Sequence, residues 1–454
     1  MEKQFPNERE WILDILIEVD KNQGFVNQLV KQTLDKNQFI DKQKRNFVKR
    51  VAQGTVERQI YLDYVIEQFS KVKVRKMKPL IRAAIRMGAY QLLCMDGVPS
   101  SAACNESVTL VKKRGMKGLS GFVNGVLRNI ARNKDNISFP EEQKEPLQFL
   151  SIQYSMPQWI VTKWVALYGY EMTKTMLEAF LKEAPLSVRV NETKITKDEL
   201  VAALKKQDIN VENGAYCSNA IKISGYNYLG KIKEWKEGYF QVQDESSMLV
   251  CQIADIKPDN IIIDVCAAPG GKATHAAQLL NQTGMVYARD LTEKKVELMK
   301  ENLTRLGLNN MQITCQDALV LDEEMLEKAD VVIADLPCSG LGVIGKKSDI
   351  KYNMTEEKQK ELVKLQRDIL SVVCKYVKKG GTLIYSTCTI NPEENEENFR
   401  WLLENKDVKF EAVDISSYLP KELQEETTKQ GYLQLLPGKH SCDGFFMSRL
   451  RRKN

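Results

Sequence analysis

From about residue 239 onward, short apolar runs alternate with helical patterns, and this alternation restricts the chain more than any other feature. The runs are IIIDV (261–265), MVYAR (285–289), MQITC (311–315), DVVIAD (330–335) and TLIYST (382–387); helical stretches fall near 272–281, 292–306, 318–328 and 356–378. Near-continuous apolar strands need cover on both faces, and strands joined through helices return parallel. The pattern predicts an α/β domain on a mostly parallel sheet over residues 239–454. Ligands of such sheets sit at the carboxyl ends of the strands, near the switch point of the topology.

The chain ahead of this domain is of a different kind. In PLIRAAIRMGAYQLLCM, Leu80, Ile81, Ala84, Ile85, Gly88 and Leu92 mark one helical face, from which Arg82 and Arg86 fall away. Pro79 suits the first turn of that helix. Val123, Val126, Leu127 and Ile130 repeat the pattern in GFVNGVLRNIAR. No strand alternation occurs, so residues 1–135 are expected to form a compact all-α domain. Residues 136–156 are polar and contain prolines, which reads as a linker. Residues 157–238 mix helical segments (PQWIVTKWVALYG, EMTKTMLEAFL, KDELVAALKKQ) with short strands (LSVRVN, YNYLG). A small α+β domain without legible chemistry is expected there.

Charge is unevenly distributed. Residues 1–135 hold 25 Lys and Arg against 14 Asp and Glu, and the remainder 41 against 46. The basic clusters are KQKRNFVKR (42–50), KVKVRKMK (71–78) and KKRGMK (112–117); two precede helical patterns, where helix starts can meet phosphate. Nucleic acid is the expected partner, held through phosphate contacts rather than base readout. A solvated basic face is the plain alternative. With two histidines, His275 and His440, and ten cysteines without a C-x-x-C pair, the composition argues against histidine acid–base chemistry, a metal site or a disulfide framework. Free thiols suit a reducing cytoplasm. The N-terminus MEKQFPNEREW lacks an apolar signal core, and no run reaches the roughly 18 uncharged apolar residues of a membrane span. A cytoplasmic monomer without a membrane anchor is therefore the expectation.

The unusual polar residues of the C-terminal domain gather at strand ends. After the first strand, in DVCAAPGGKATHAA (264–277), Pro269, Gly270 and Gly271 make a tight turn that lets backbone approach a ligand before the next helix. The second strand ends at Asp290, a position whose carboxylate commonly accepts ribose hydroxyls. The third leads to Asp317, and the fourth ends at Asp335 in DLPCSG (335–340). Each acid alone reads as a helix cap or turn residue. Together with the glycine turn on one rim, they suit a nucleoside cofactor lacking a pyrophosphate. S-adenosylmethionine, with its cationic sulfonium, fits an acidic rim.

Two cysteines stand apart. Cys338 follows the fourth strand, and Cys388 follows the fifth in YSTCTINPEENE. If those strands are neighbours, both thiols share one pocket. The other eight (Cys94, Cys104, Cys217, Cys251, Cys266, Cys315, Cys374, Cys442) read as small core hydrophobes. A thiolate added to carbon 6 of a pyrimidine makes carbon 5 enamine-like and able to attack a methyl sulfonium. Carbon 5 then loses its proton and the thiol is expelled. At a pKa of about 8.5, little free cysteine is thiolate at neutral pH, so the site must lower that value or remove the proton during attack. Asp335 at cytosine N3 would offset charge built up on the ring.

These motifs also resemble known families. From Arg45 through GTVER (54–58), LDYVI (62–66) and RAAIRMGAYQLL to VPSSAACNESVTLVKK and GFVNGVLRNI, the N-terminal third resembles the NusB-like helical fold, an RNA-binding module, over roughly residues 5–133. DVCAAPGGKATH, DLPCSGLGV and IYSTCTINPEENE, in this order, with LPGKHSCDGFFMSRLRR (436–452), resemble the Sun/Nop family of RNA cytosine-5 methyltransferases over roughly residues 157–452. The whole chain resembles the RsmB (Sun) branch of that family, which methylates one cytosine in small-subunit (16S) ribosomal RNA. The resemblance implies a Rossmann-like, S-adenosylmethionine-dependent methyltransferase domain. It implies Cys388 as nucleophile and Cys338 as the thiol that assists product release. It maps the cofactor segment onto Cys266, Ala267, Ala268, Pro269, Gly270, Gly271 and Lys272, completed by Asp290, Asp317 and Asp335, and brings Lys272 close to the target base. Arg289, beside Asp290, should point away by strand alternation.

Two other readings compete. In DNA cytosine-5 methyltransferases the Pro-Cys cysteine is the nucleophile, which would promote Cys338, but those enzymes lack the Thr-Cys motif. An RNA-binding assembly or antitermination factor would keep the domain as a non-catalytic scaffold. Intact cysteines and an intact acidic rim argue against it.

Overall fold

In the computed structural model the described residues are 7–22, 24–37, 39–404 and 406–454. The first six residues of the N-terminus, read above for a signal core, lie outside them. The chain forms two compact units, residues 1–182 with 344–353, and residues 183–343 with 354–454.

The first unit is helical throughout its described residues. Glu8–Asn22, Val26–Lys36, Lys42–Glu57, Gln59–Phe69, Pro79–Cys94, Ser100–Lys113 and Ser120–Asn133 enclose one core. Ile81, Ala84, Ile85 and Gly88 are buried on the expected face. Arg86 lies off that face yet is buried as well, because the helices Glu8–Asn22 and Gln59–Phe69 cover the side on which it emerges. Its Nε and Nη2 each donate to the Asp63 carboxylate at 2.7 Å, and Nη1 lies 3.4 Å from Asp20, which also pairs with Arg82. The basic cluster 42–50 sits inside a helix rather than ahead of one.

The segment expected as a linker carries the helix Pro146–Gln153, which starts on its proline. The helices Gln158–Tyr168 and Tyr170–Leu181 continue this first unit, with the Trp164 and Phe180 rings 5.9 Å apart. Residues 344–353 also belong here. The Asp349 carboxylate accepts from Val26 N at 2.9 Å, capping a helix that its own Phe25 cannot cap. Lys351 Nζ and Tyr352 OH both donate to the Glu57 carbonyl, at 2.9 and 3.1 Å. Burial pushes the Lys351 ammonium down to about 7.

The second unit begins with β1 (Leu186–Val190), β2 (Asn210–Asn213), β3 (Ala220–Ser224) and β4 (Phe240–Val242), an antiparallel sheet in the order β2-β3-β1-β4. Its core holds Val188, Val190, Leu200, Ile221, Ile223 and Phe240. YNYLG does not extend as a strand: Gly225, at φ +80°, turns the chain out of the sheet, and Leu229–Lys231 forms a 3-10 turn.

The large sheet follows: β5 (Ile261–Asp264), β6 (Met285–Asp290), β7 (Met311–Cys315), β8 (Ala329–Asp335), β9 (Val377–Thr387), β10 (Phe410–Ala412), β11 (Tyr432–Leu435) and β12 (Phe445–Arg452). Its order is β10-β12-β9-β8-β5-β6-β7, with β11 on β12; β5 to β9 are mutually parallel and the last three strands run antiparallel. Alternate residues supply two cores. Ile262, Val331, Ile333 and Ile384 pack under the helices Glu245–Ala254 and Gly271–Leu279, and Ile263, Val332, Ala334 and Leu383 under Glu356–Val373 and Glu396–Leu403. Both faces are apolar because both are covered.

The helix expected near 318–328 is reduced to a 3-10 turn, Glu323–Met325. Asp317 and Asp322 accept from backbone two residues on, holding successive turns where a helix would otherwise run. Cys315, on the edge strand β7, is exposed rather than part of a core. β8 and β6 flank β5 on opposite sides, so the switch point opens a crevice between the carboxyl ends of β5 and β8.

Arg86→Leu leaves Asp63 partly buried without its bidentate partner. It should cost about 3 kcal/mol of stability in the helical unit, visible as a lower-temperature first transition in calorimetry. An unchanged first transition would mean that the pair is not structural.

Candidate active site

At the end of β5, Asp264 is buried, and neither carboxylate oxygen has a hydrogen-bond partner. Burial, then the negative charge of Asp335, pushes its carboxyl up to about 7. The chain then turns back sharply. Ala267 N donates to the Arg289 carbonyl at 2.8 Å and Ala268 N to Asp290 Oδ2 at 3.0 Å. Gly270, at φ +97°, begins the helix Gly271–Leu279 without a capping side chain. Only glycine adopts such a φ without strain. Asp290 Oδ1 accepts from Leu291 N at 2.8 Å and from Lys295 Nζ at 2.9 Å. A carboxylate offers about four acceptor sites, so three donors leave Asp290 capacity for a hydroxyl. Arg289 does point away, onto Asp322 and the Tyr376 ring.

Lys272, one residue into the helix, crosses the crevice. Its Nζ lies 2.6 Å from Asp335 Oδ2, while Asp335 Oδ1 accepts from Ser386 Oγ at 2.9 Å. Burial opposes the ammonium, but Asp335, Asp264 and Cys388 outweigh it and raise the Lys272 pKa. Asp317 stays outside this network; its carboxylate holds its own turn through Leu319 N. The Cys266 thiol is pushed well up, by burial first and then by Asp264, Asp290 and Asp335. That makes it inert.

The two thiols meet because β8 and β9 are adjacent and parallel, pairing Asp335 with Ser386. Cys338 Sγ and Cys388 Sγ are 3.4 Å apart. The hydrogen bond to Cys388, then burial, pushes the Cys338 thiol well above its ordinary range.

Sequence reasoning did not reach the groups that hold this pair. Glu394, fully buried, accepts from Ser339 N at 2.8 Å, Ser339 Oγ at 2.5 Å, Gln366 Nε2 at 3.0 Å and Asn391 Nδ2 at 3.1 Å. Asn395 accepts from Thr387 Oγ1 and donates to the Thr389 carbonyl, bracketing Cys388. Gly342 N donates to the Cys388 carbonyl at 3.0 Å, and a Cβ on Gly342 would stand 1.9 Å from the Gly444 carbonyl oxygen. The polar run NPEEN after Thr-Cys was the available signal.

Arg189 was missed too. It is fully buried on β1 without a carboxylate partner, and burial pushes it down to about 10. It donates to the Gly271 carbonyl at 3.0 Å, Thr274 Oγ1 at 3.2 Å, Gln278 Oε1 at 3.1 Å and Gln243 Oε1. The small sheet thus braces the turn at the helix start.

The residues fit S-adenosylmethionine. A buried carboxylate without a hydrogen-bond partner among the described residues, a glycine turn at a helix start that no side chain caps and a rim carboxylate with spare acceptor capacity suit a cationic nucleoside ligand. Among the described residues there is no cluster of potential metal ligands and no helix long and apolar enough to cross a membrane. The fold and this rim define the Rossmann-like, S-adenosylmethionine-dependent methyltransferases.

Comparison with known proteins narrows the class. A family described as 16S rRNA methyltransferase RsmB/F matches residues 251–451, the NusB family residues 6–132, and an RsmF/B-like ferredoxin-like domain residues 156–227. A protein of Bacillus subtilis named probable ribosomal RNA small subunit methyltransferase B is 35% identical over 98% of both chains. One of the same name from Synechocystis is 32% identical over 96% of this chain and 98% of its own. The crystal structure of a methyltransferase homolog from Pyrococcus horikoshii is 29% identical, covers 68% of this chain and 99% of its own, and superposes with a TM-score of 0.57. The chain belongs to the RsmB/F family of 16S rRNA methyltransferases.

Glu394→Gln turns an amide N–H₂ toward donors and should loosen both thiol loops. The expected result is an approximately tenfold to hundredfold loss of turnover with unchanged affinity for S-adenosylmethionine, separated by calorimetry and steady-state rates. Equal loss of both would contradict a role confined to the thiols.

Asp264 holds its proton up to about pH 7, against about 4 for an ordinary carboxyl. Its protonation therefore favours the fold in acid, and this contribution is lost as pH rises from about 4 through about 7. Asp264→Asn should gain melting temperature relative to the native protein over that interval. Parallel curves in calorimetry at several pH values would refute the shift.

Proposed function

We propose that this protein methylates carbon 5 of a cytosine in small-subunit (16S) ribosomal RNA through a covalent adduct with Cys388. The observation that carries the reading is the thiol pair 3.4 Å apart, beside the Lys272–Asp335 ion pair. The printed family and the names of the relatives support the choice of ribosomal RNA. Residues 1–135 serve as the RNA-binding module, 157–238 as a small bracing domain and 239–454 as the methyltransferase domain, with 136–156 connecting them.

Cys266 to Lys272, Asp290 and Asp335 hold the cofactor, with Asp317 at the far edge of the rim; when bound, S-adenosylmethionine supplies an electrophilic methyl group. Cys388 attacks as thiolate, forming a sulfur–carbon 6 bond and moving the electron pair of the 5,6 double bond toward carbon 5. Lys272 stabilises the thiolate electrostatically, and Cys338, pushed well above its ordinary range, stays a thiol. Asp335, its charge balanced by Lys272, contacts the ring. Carbon 5, once methylated, gives up its proton to solvent water; the carbon 6–sulfur bond breaks, the double bond re-forms and Cys388 leaves as thiolate. Cys338 assists this release. The chemistry needs reduced thiols, in keeping with the cytoplasm. A target stacked in structured RNA must be flipped out, at a cost of a few kcal/mol.

Nucleoside mass spectrometry of unmodified small-subunit ribosomal RNA, incubated with S-adenosylmethionine, tests the assignment. The native protein should yield 5-methylcytidine and Cys388→Ala none. Cys338→Ala should accumulate a protein–RNA species that survives denaturing electrophoresis. An active Cys388→Ala would transfer the nucleophile to Cys338 and sink this mechanism.

A further inference from the structure

The stretch from Gln68 to Met95 carries seven Lys and Arg and no Asp or Glu. The tertiary structure divides these cations in two. Arg82 and Arg86 turn inward onto Asp20 and Asp63. Lys71, Lys73, Arg75, Lys76 and Lys78 are all exposed. None of the five has an ion pair or other polar side-chain partner among the described residues.

The other basic clusters of the helical unit are treated differently. Lys44 lies 3.1 Å from Glu8, Lys113 2.8 Å from Glu10 and Arg114 2.6 Å from Asp14, all on the first helix. Arg45 is buried and donates to the Leu34 carbonyl. Three of the nine cations in those clusters, Lys44, Lys113 and Arg114, thus face carboxylates of the same unit.

The 71–78 segment is also held rigidly. Val74 and Met77 are buried, Val74–Lys76 forms a 3-10 turn, and Val74 N donates to Glu67 Oε1 at 3.0 Å. Two apolar anchors thus fix a ridge whose remaining side chains, the exposed Val72 apart, are cations. Such an array loses little order on binding and has no internal counterion to displace.

We propose that the ridge formed by Lys71, Lys73, Arg75, Lys76 and Lys78 is the phosphate-binding surface through which the helical unit holds ribosomal RNA. The inference rests on the RNA substrate proposed above. Each cation that neutralises a phosphate releases counterions, so affinity through this surface falls steeply with salt. Contacts of this kind position the RNA without reading its sequence.

The test measures binding of unmodified small-subunit ribosomal RNA to the full-length protein across a series of potassium chloride concentrations. Replacing the five cations by Gln should flatten the dependence of log affinity on log salt by up to about 3.5–4.5, at ~0.7–0.9 per lost phosphate contact. Lys44→Gln with Lys113→Gln and Arg114→Gln, three cations that already have carboxylate partners, should leave the slope as it is. A native slope in the five-fold variant overturns the proposal, as does equal flattening in the three-fold variant, which would reduce the effect to net charge. Anionic vesicles of phosphatidylglycerol serve as a second probe: if they bind through the ridge more tightly than RNA does, the surface belongs to a membrane and the proposal fails. A native protein that makes no 5-methylcytidine while its RNA binding retains the slope difference would sink the methylation reading and leave the surface standing.

Discussion

The ion pair between Lys272 and Asp335 spans the crevice on which the rest of the site depends. It joins the turn after β5 to the end of β8, 63 residues apart in sequence, across a 2.6 Å contact. Both partners sit in a shielded environment where an unpaired charge would cost several kcal/mol. The pair therefore fixes the width of the switch point. It also sets the local electrostatics: Lys272 faces Asp264 and Cys388 as well as Asp335, so one ammonium balances an acidic floor on one side and the Cys388 sulfur on the other.

From that crevice, chemistry divides between two polar assemblies. The cofactor side is built on backbone, with the glycine turn braced from below by Arg189 and at the rim by Asp290. The thiol side is built on side chains, with Glu394 and Asn395 tying the Pro-Cys and Thr-Cys loops together. Close passage of Gly342 against Gly444 lets the final strand β12 seal this side. A hydrogen bond between two thiols is weak by itself. Holding the sulfurs 3.4 Å apart falls to the buried carboxylate beneath them.

The helical unit obeys the same rule of charge placement with the opposite result. Its internal carboxylates neutralise Arg82, Arg86, Lys44, Lys113 and Arg114. Those five pairs leave the excess of 25 Lys and Arg over 14 Asp and Glu in residues 1–135 untouched, and the 71–78 ridge carries five of the remaining cations.

Periodicity made the five parallel strands legible, because strands covered on both faces must be apolar throughout. The Pro-Gly-Gly turn and the two cysteines were legible as chemical exceptions at strand ends. The helix expected over 318–328 was not found, because aspartates there satisfy backbone locally, and Arg86 was misplaced because helical phase says nothing of a neighbouring helix that covers the polar side. Glu394 and Arg189 gave no periodic signal; a buried charge is recognised only by its partners. Local pattern, turn chemistry and residue type are properties of short segments, and these the sequence determined by itself. Which distant groups meet, which cations keep a counterion and how close the two thiols lie depend on strand order and on the low dielectric of the closed core, and the tertiary structure alone decided them.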